Sequence, residues 1–198
     1  MAKDYSEDLL IQKSTAELLE KELGWHSVYA YDNEVLGEHG TLGRKSQREV
    51  VLTRHLRLAL KRLNPWMNEK QTTEAVERMT EYKSSQTLIQ INEEKYGYVR
   101  DGVPVTRIKP DGTTETMRAR VIDFAVADNN EFIAVRELWI KGAIHKRRAD
   151  VVCYVNGLPI VFIELKNHDQ DIQNAYTDNY RDYLDTIPHL FHHNAMIM

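Results

Sequence analysis

The fold is decided by residues 147–167, which read RRADVVCYVNGLPIVFIELKN. Two apolar runs, 149–155 and 158–165, flank the pair Asn156-Gly157. An Asn-Gly pair between apolar runs is typical of a β-hairpin with a tight turn. Strands this apolar are expected to be buried on both faces. The sequence therefore predicts a pair of antiparallel strands at the centre of a buried sheet.

Three charged side chains interrupt this hairpin. Asp150 lies near the start of the first strand, and Glu164 and Lys166 lie at the end of the second. Charges on apolar strands are costly unless they pair with each other or with a metal ion. A strict two-residue turn would set Asp150 opposite Ile163 and point Glu164 to the other face. A three-residue loop over 155–157, or a β-bulge, would bring all three charges to one face, and we predict one of these two.

Oxygen ligands of this kind suit a hard cation such as Mg²⁺. Asp150 and Glu164 would supply carboxylates, and a backbone carbonyl would complete the set. Lys166 beside them could orient or activate a metal-bound water and offset the charge of a phosphate. A salt bridge between Lys166 and one carboxylate, closing the strand end, explains the same spacing equally well. Spacing alone leaves both interpretations open.

The rest of the chain changes character near Gly102. Amphipathic spacing predicts helices mainly before that point, and apolar runs predict strands after it. We expect one domain over 1–198, with a mainly helical part over about 1–100 and a sheet over about 101–198. The fold class is mixed α/β (α+β), a central mixed sheet flanked by helices. The predicted helices are 4–23, 46–63, 72–82, 87–97 and 171–185, and the predicted strands are 118–124, 132–140, 149–155, 158–165 and the start of another at 194–198.

Composition excludes several classes of protein. The chain has 198 residues, a net charge of −4 and one cysteine, Cys153, so no internal disulfide can form. No apolar run approaches the ~18 residues that a membrane span needs, so we expect a soluble, cytoplasmic protein without a membrane partner. Mild acidity argues against nucleic-acid binding by the whole surface and leaves local basic patches. An apolar strand start that ends at Met198 suggests a fragment of a longer chain.

The charged hairpin resembles a known nuclease signature. Asp150, followed after thirteen residues by Glu164-x-Lys166, resembles the PD-(D/E)XK motif. The flanking sequences RADVV, VNGLP and IELKN resemble the N-terminal nuclease domain of type I restriction enzyme R subunits. The resemblance covers most of the chain and includes the segment IPHLF at 187–191. It implies a restriction-endonuclease-like core.

The resemblance also implies an activity. The domain would be a Mg²⁺-dependent endonuclease of a type I restriction-modification enzyme, with Mn²⁺ able to substitute. It would cut double-stranded DNA after ATP-driven translocation by a motor downstream of Met198, in complex with modification and specificity subunits. Asp150, Glu164 and the backbone carbonyl of Leu165 would hold the metal ion, and Lys166 would serve the water. ATP would bind only in the motor, which this chain lacks.

Further side chains are expected to support the site or the DNA. The family carries a Gln-x-x-x-Tyr motif on the helix after the lysine strand, and the best match is Asn179 with Tyr183, where Asn replaces Gln. Gln173 is a weaker substitute because it lies off that helix face. Ala149 stands where the family has proline. The supporting residues are therefore predicted to be Asn179, Tyr183, Gln12, Arg147 and Arg148.

A second function class remains open at this stage. A non-catalytic DNA-binding or subunit-docking module could retain a relic of the nuclease fold. The basic stretch 44–62 would then bind phosphates or a partner, although a solvated helix face is the interpretation we favour for it. His189, His192 and His193 lack metal-ligand spacing, and we predict them to be surface histidines.

Overall fold

A computed structural model describes residues 7–165, 173, 175–193 and 196–197. The helices are α1 (Glu7–Leu23), α2 (Thr53–Leu63), α3 (Glu69–Thr80), α4 (Leu88–Asp101) and α5 (Arg181–Thr186), with a π-helix over Ala175–Tyr180 and 3₁₀ turns over Ala127–Asn129 and Pro188–Phe191. The strands are β1 (His26–Tyr29), β2 (Val103–Ile108), β3 (Thr114–Ala119), β4 (Phe132–Lys141), β5 (Lys146–Val155), β6 (Leu158–Ile163) and β7 (Met196–Ile197).

The central sheet is mixed, as the sequence predicts. Its strand order is β1-β4-β5-β6-β7, and β2 pairs with β3 in a separate two-stranded sheet. The pairs β4–β5 and β5–β6 are antiparallel, whereas β1–β4 and β6–β7 are parallel. The predicted hairpin therefore forms the middle of the sheet, with a strand on either side. Such strands are apolar on both faces because both faces are covered.

Helices cover the two faces of this sheet. On one face, Leu56 and Leu60 of α2 join the largest hydrophobic cluster with Val152 and Phe162. On the other face, Leu19 of α1 packs against a smaller cluster formed by Ala134, Val151 and Cys153. Burial of each large aliphatic side chain contributes about 2 kcal/mol to stability. This layering holds β5 and β6 rigidly between α1 and α2.

The hairpin turn docks on the start of α2. Asn156 and Gly157 both have left-handed backbone conformations, with φ of 51° and 81°, as a tight two-residue turn requires. The Leu52 N–H donates to the Gly157 carbonyl at 2.8 Å. A Cβ atom on Gly157 would lie 2.4 Å from the Leu52 carbonyl oxygen. Only glycine fits here, so the turn and the helix start are locked together.

Several boundaries predicted from the sequence are wrong. The helix predicted over 72–82 spans Glu69–Thr80, because Asn68 caps its start. Helix α2 begins at Thr53 rather than at residue 46, because Arg44 is fully buried and its guanidinium holds the preceding segment by donating to the carbonyls of Glu49 and Trp139. The strand expected over 118–124 ends at Ala119. The Asn64 side-chain oxygen accepts from the Arg120 N–H, and the Asn64 amide donates to the Arg120 carbonyl. Arg120 therefore does not pair in the strand ladder.

Other expectations are confirmed within the described residues. The segment 87–97, ambiguous between helix and strand, is part of α4. Helix α1 ends at Leu23, where Gly24 adopts a φ of 68°. The helix predicted over 171–185 is π-helical over Ala175–Tyr180 and α-helical from Arg181 onward, while residues 171, 172 and 174 lie outside the described part. None of the helices described is long and apolar enough to cross a membrane.

Candidate functional site

A β-bulge sets the register at the charged end of the hairpin. The strands pair across a two-residue turn, and the register then shifts by one residue between Tyr154 and Cys153, leaving Ile160 as the extra residue. The predicted bulge is confirmed, and the alternative three-residue loop is not what produces the shift. Beyond the bulge, the register places Asp150 opposite Glu164. A single inserted residue thus brings two carboxylates to neighbouring strand positions.

Two donors hold the Asp150 carboxylate. The Gln12 side-chain amide of α1 donates to Oδ1 at 3.1 Å, and the Leu165 backbone N–H donates to Oδ2 at 2.8 Å. Gln12 is buried, whereas Asp150 is only half-buried. These bonds tie α1 and the end of β6 to β5, and they fix the orientation of the carboxylate. The structure therefore brings together three residues named from the sequence, with Leu165 contacting Asp150 through its N–H, while the role predicted for the Leu165 carbonyl stays a prediction.

Glu164 has a partner from the helix that follows the hairpin. The Asn179 side-chain amide donates to Glu164 Oε1. Asn179 lies in the π-helix, and π-helical turns are frequent at functional sites. The asparagine, although shorter than the glutamine of the resembling motif, reaches the carboxylate. Gln173, the weaker candidate, is exposed.

Tyr183 contacts the backbone of β5, the strand that carries Asp150. Its hydroxyl donates to the Arg148 carbonyl at 2.9 Å, and its ring packs edge-on against Phe162. Burial raises the pKa of Tyr183, and the negative charges of Glu164 and Asp150 raise it further. The phenol therefore stays protonated and remains a hydrogen-bond donor. Tyr183 holds β5 two residues before Asp150.

Glu137 was not identified from the sequence, yet it shapes the strand beside Asp150. It is buried and has a left-handed φ of 56°, which is uncommon for a residue other than glycine. Pairing between β4 and β5 continues on both sides of the Glu137 and Asp150 positions, but this pair itself is skipped. Before Glu137, Val135 points into the main core, and after it Leu138 does. The strand therefore changes face at the point where Asp150 leaves the ladder.

Arg147 and Arg148, both expected near the DNA, have carboxylate partners within the protein. Arg147 Nη2 lies 2.8 Å from Asp182 Oδ1, and this pairing lowers the pKa of Asp182. Arg148 Nε lies 2.5 Å from Glu137 Oε2. The Arg148 guanidinium also lies 5.0 Å from the ring centre of Tyr31. Arg147 thus ties β5 to α5, and Arg148 ties β5 to β4.

The residues present fit a hard divalent cation. Gln12 Oε1 is buried and has no hydrogen-bond partner among the described residues, although it belongs to the amide that holds Asp150. An oxygen acceptor on the amide that holds Asp150 is suited to a Mg²⁺ ion or to a water that the ion binds. Within the described residues, no group of three or more His, Cys, Asp and Glu side chains could hold a metal ion. Such a site would therefore depend on two carboxylates with a carbonyl and water. Lys166 lies outside the described residues.

A mixed sheet with opposed carboxylates at the ends of two neighbouring strands defines a domain with a PD-(D/E)XK nuclease-like core. The family model described as the type I restriction enzyme R protein N terminus matches residues 4–198. The chain belongs to this family.

Two relatives carry names that agree with this assignment. The type I restriction enzyme HindI endonuclease subunit of Haemophilus influenzae is 32% identical over 194 residues, which are 95% of this chain and 18% of the relative. The putative type I restriction enzyme MjaIXP endonuclease subunit of Methanocaldococcus jannaschii is 24% identical over 198 residues, which are 98% of this chain and 18% of the relative. The chain therefore spans only about a fifth of the length of these relatives.

Proposed function

We propose that this chain is the Mg²⁺-dependent endonuclease domain of a type I restriction-modification enzyme, and that it hydrolyses phosphodiesters of double-stranded DNA. One observation carries the proposal: the bulge at Ile160 sets Asp150 opposite Glu164 at the end of the central strands. The names of the relatives support the same reading, since both are endonuclease subunits.

Each residue of the site has a distinct role in the proposed reaction. Asp150, Glu164 and the Leu165 carbonyl would hold the ion, and Lys166 would orient the attacking water. Mg²⁺, when bound, supplies Lewis-acid stabilisation of charge on the phosphate and lowers the pKa of a bound water. Gln12 and the Leu165 N–H keep the Asp150 carboxylate in place, while Asn179 does the same for Glu164. These contacts preorganise the ligands, so little rearrangement is needed when substrate arrives.

The remaining partners follow from membership of a type I enzyme. Translocation along DNA would be driven by ATP in a motor elsewhere in the full-length subunit. Modification and specificity subunits would complete the complex, and the enzyme would act in the cytoplasm. Recognition of a DNA sequence would belong to the specificity subunit, so this domain needs only contacts to the DNA backbone.

The competing proposal is a relic that binds DNA through residues 44–62. It loses support because basic side chains of this stretch bind other groups of the protein. Arg44 is fully buried and paired with Glu34. Arg54 donates to the carbonyls of the loop before α2, and Arg57 pairs with Glu69. Guanidinium groups engaged in this way hold the fold together and offer little charge to phosphates. The catalytic proposal is therefore the stronger of the two.

Calorimetry with Mn²⁺ tests the proposed metal site. We expect saturable binding to the chain that disappears in Asp150→Asn. Asp185→Asn is the matched control, because it makes the same chemical change at an exposed position of α5. Each protein is measured alone and with a short DNA duplex, so that a site completed by DNA is also detected. Undiminished Mn²⁺ binding by Asp150→Asn would reject the assigned ligands.

A further inference from the structure

Strands β4 and β5 are irregular beside the proposed metal ligands. Pairing is intact on both sides of Glu137 and Asp150, but these two residues are not paired with each other. This irregularity is distinct from the bulge at Ile160, which shifts the register between β5 and β6. It therefore has a cause of its own.

The irregularity in β5 determines which way Asp150 points. Val152 and Tyr154 lie in the main core, and so does Ala149, three residues before Val152. Side chains two residues apart on a regular strand share a face, so a regular β5 would direct Asp150 into that core with Val152 and Tyr154. A carboxylate among aliphatic side chains is costly. Because the strand changes face, Asp150 instead meets Gln12 of α1, on the other side of the sheet.

Strand β4 makes the same change of face at Glu137. Val135 and Leu138 are three residues apart, and both lie in the main core. Between them Glu137 has a left-handed φ of 56°, a strained backbone conformation for a residue with a side chain. Such strain persists only where surrounding contacts hold it, and it is concentrated at functional sites. A contact that compensates the strain is therefore expected at Glu137.

An ion pair joins Glu137 to the strand that carries Asp150. Glu137 is only 5% exposed, and its Oε2 lies 2.5 Å from Arg148 Nε. The Arg148 guanidinium lies 5.0 Å from the ring centre of Tyr31 and 5.8 Å from that of Trp139. Hydrogen bonds between oppositely charged groups are stronger than those between neutral groups. The pair therefore ties the left-handed residue of β4 to β5, two residues before Asp150.

We infer that Glu137 is a positioning residue of the proposed nuclease and acts through its ion pair with Arg148. The pair holds β4 and β5 in the conformation that turns Asp150 away from the main core. Glu137 does not bind the ion itself, since it forms no metal-binding group of three with Asp150 and Glu164 within the described residues. The inference rests on the proposed function, because the orientation of Asp150 serves catalysis only if Asp150 binds the ion.

Calorimetry with Mn²⁺, without DNA, tests both members of the pair, because their charges are opposite. Glu137→Gly tolerates the left-handed backbone and removes the pair, whereas Arg148→Met removes the pair and keeps an apolar side chain beside the rings. We expect both variants to bind Mn²⁺ at least about tenfold more weakly, as is usual when a group that orients a metal ligand is lost. Loss of charge alone would weaken binding in Glu137→Gly and strengthen it in Arg148→Met. Stronger binding by Arg148→Met would therefore overturn the inference.

A cross-strand pair in the other sheet supplies matched controls. Glu115 Oε1 lies 3.7 Å from Arg107 Nη1, across the β2–β3 pair. Glu115→Gly and Arg107→Met make the same chemical changes in a sheet that carries neither carboxylate, and they should leave the affinity for Mn²⁺ unchanged. Urea unfolding of all four variants measures stability separately. Lower stability of Glu137→Gly with unchanged affinity of the folded protein would show a purely structural role and overturn the inference.

The Leu165 backbone N–H provides a readout that needs no metal ion. It donates to Asp150 Oδ2 at 2.8 Å, so its proton resonance reports the position of that carboxylate. We expect this resonance to move upfield in Glu137→Gly and Arg148→Met, because the hydrogen bond weakens, and to stay in place in Glu115→Gly. An unmoved resonance would overturn the inference even with the metal site confirmed. Failure of the unmodified chain to bind Mn²⁺, with or without duplex DNA, would reject the proposed metal site, while the resonance would still decide whether the pair orients Asp150.

Discussion

The two ends of the β5–β6 hairpin use polar side chains in opposite ways. At the turn, Asn156 is fully buried, and each of its side-chain polar atoms is satisfied. Its Nδ2 donates to the Val121 carbonyl and to Asn130 Oδ1, both at 2.8 Å. Its Oδ1 accepts from Arg62 at 3.0 Å and from the Glu131 N–H at 2.9 Å. This end is a closed network that stabilises the fold.

At the other end of the same strands, the two carboxylates are partly exposed to solvent. Asp150 and Glu164 are half-buried, and their neighbours Gln12 and Asn179 come from two different helices. The Gln12 amide gives its N–H to Asp150 while its oxygen stays without a partner among the described residues. The difference teaches that the buried network at the turn supports stability, whereas two partly exposed carboxylates brought together at the other end are suited to receive a ligand.

Asp150→Asn should have the largest effect on cleavage activity and little effect on stability. We expect cleavage by the full-length enzyme to fall at least about 10³-fold, because a metal ligand accounts for several kcal/mol of transition-state stabilisation. Stability to urea should change little, because removal of one of two neighbouring like charges offsets the hydrogen bond from Gln12 or the Leu165 N–H that the asparagine amide can no longer accept. Cleavage assays and urea unfolding on the same variant measure both. A large loss of stability would contradict the contrast between the two ends.

Asn156→Ala should show the opposite pattern. We expect a loss of about 3 kcal/mol in the free energy of unfolding, because it leaves several buried partners unsatisfied. Asn156→Gly is the matched control: it loses the same hydrogen bonds but tolerates the φ of 51°. The alanine variant should therefore be about 1 kcal/mol less stable than the glycine variant. Mn²⁺ binding by the folded fraction should persist in both, and its loss would show that the two ends are not independent.

The sequence could predict the turn and the bulge because both follow from local chemistry. Asn156-Gly157 indicates the turn directly, and the requirement that Asp150 meet Glu164 forces an extra residue into one strand. The resemblance predicted Asn179 as a support of the site or the DNA, and the Asn179 amide donates to Glu164 Oε1. The turn and the bulge could be predicted because the residues that determine them lie close together in the sequence.

What could not be predicted depends on contacts distant in sequence. Glu137 combines a left-handed backbone with an ion pair to Arg148 on the next strand, although a charge inside the apolar run 132–141 was a signal. Arg44 reads as a surface cation until Glu34 and the Trp139 carbonyl are seen beside it. The four residues of β1 are too few to show a period. His189, His192 and His193 were predicted to lie on the surface, but His192 and His193 are buried and His189 is half-buried. His193, for example, lies against the Met79 carbonyl of α3, far away in the chain.

Burial of His193 makes the stability of the protein depend on pH. The pKa of His193 falls from 6.5 to about 4 on folding, so below pH 6.5 the unfolded chain takes up a proton that the native protein does not. Stability should therefore be lost as the pH falls from about 6.5 toward about 4, by about 2 kcal/mol at pH 5 for His193 alone. Urea unfolding at pH 7.5 and pH 5 should show a smaller difference in His193→Gln than in the unmodified chain. His39→Gln, at an exposed position, should keep the full difference.

Asn179→Ala should have the smallest effect, and it tests whether Asn179 only orients Glu164. Asn179 does not hold the metal ion in the proposed mechanism but orients Glu164, so its loss removes one hydrogen bond to a charged group that still binds. We expect Mn²⁺ affinity to fall about fivefold, which corresponds to about 1 kcal/mol, with little change in stability. Arg181→Ala, at the exposed start of α5, is the control and should leave the affinity unchanged. A loss as complete as in Asp150→Asn would instead make Asn179 a ligand, and an unchanged affinity would mean that Glu164 is held by the strand end alone.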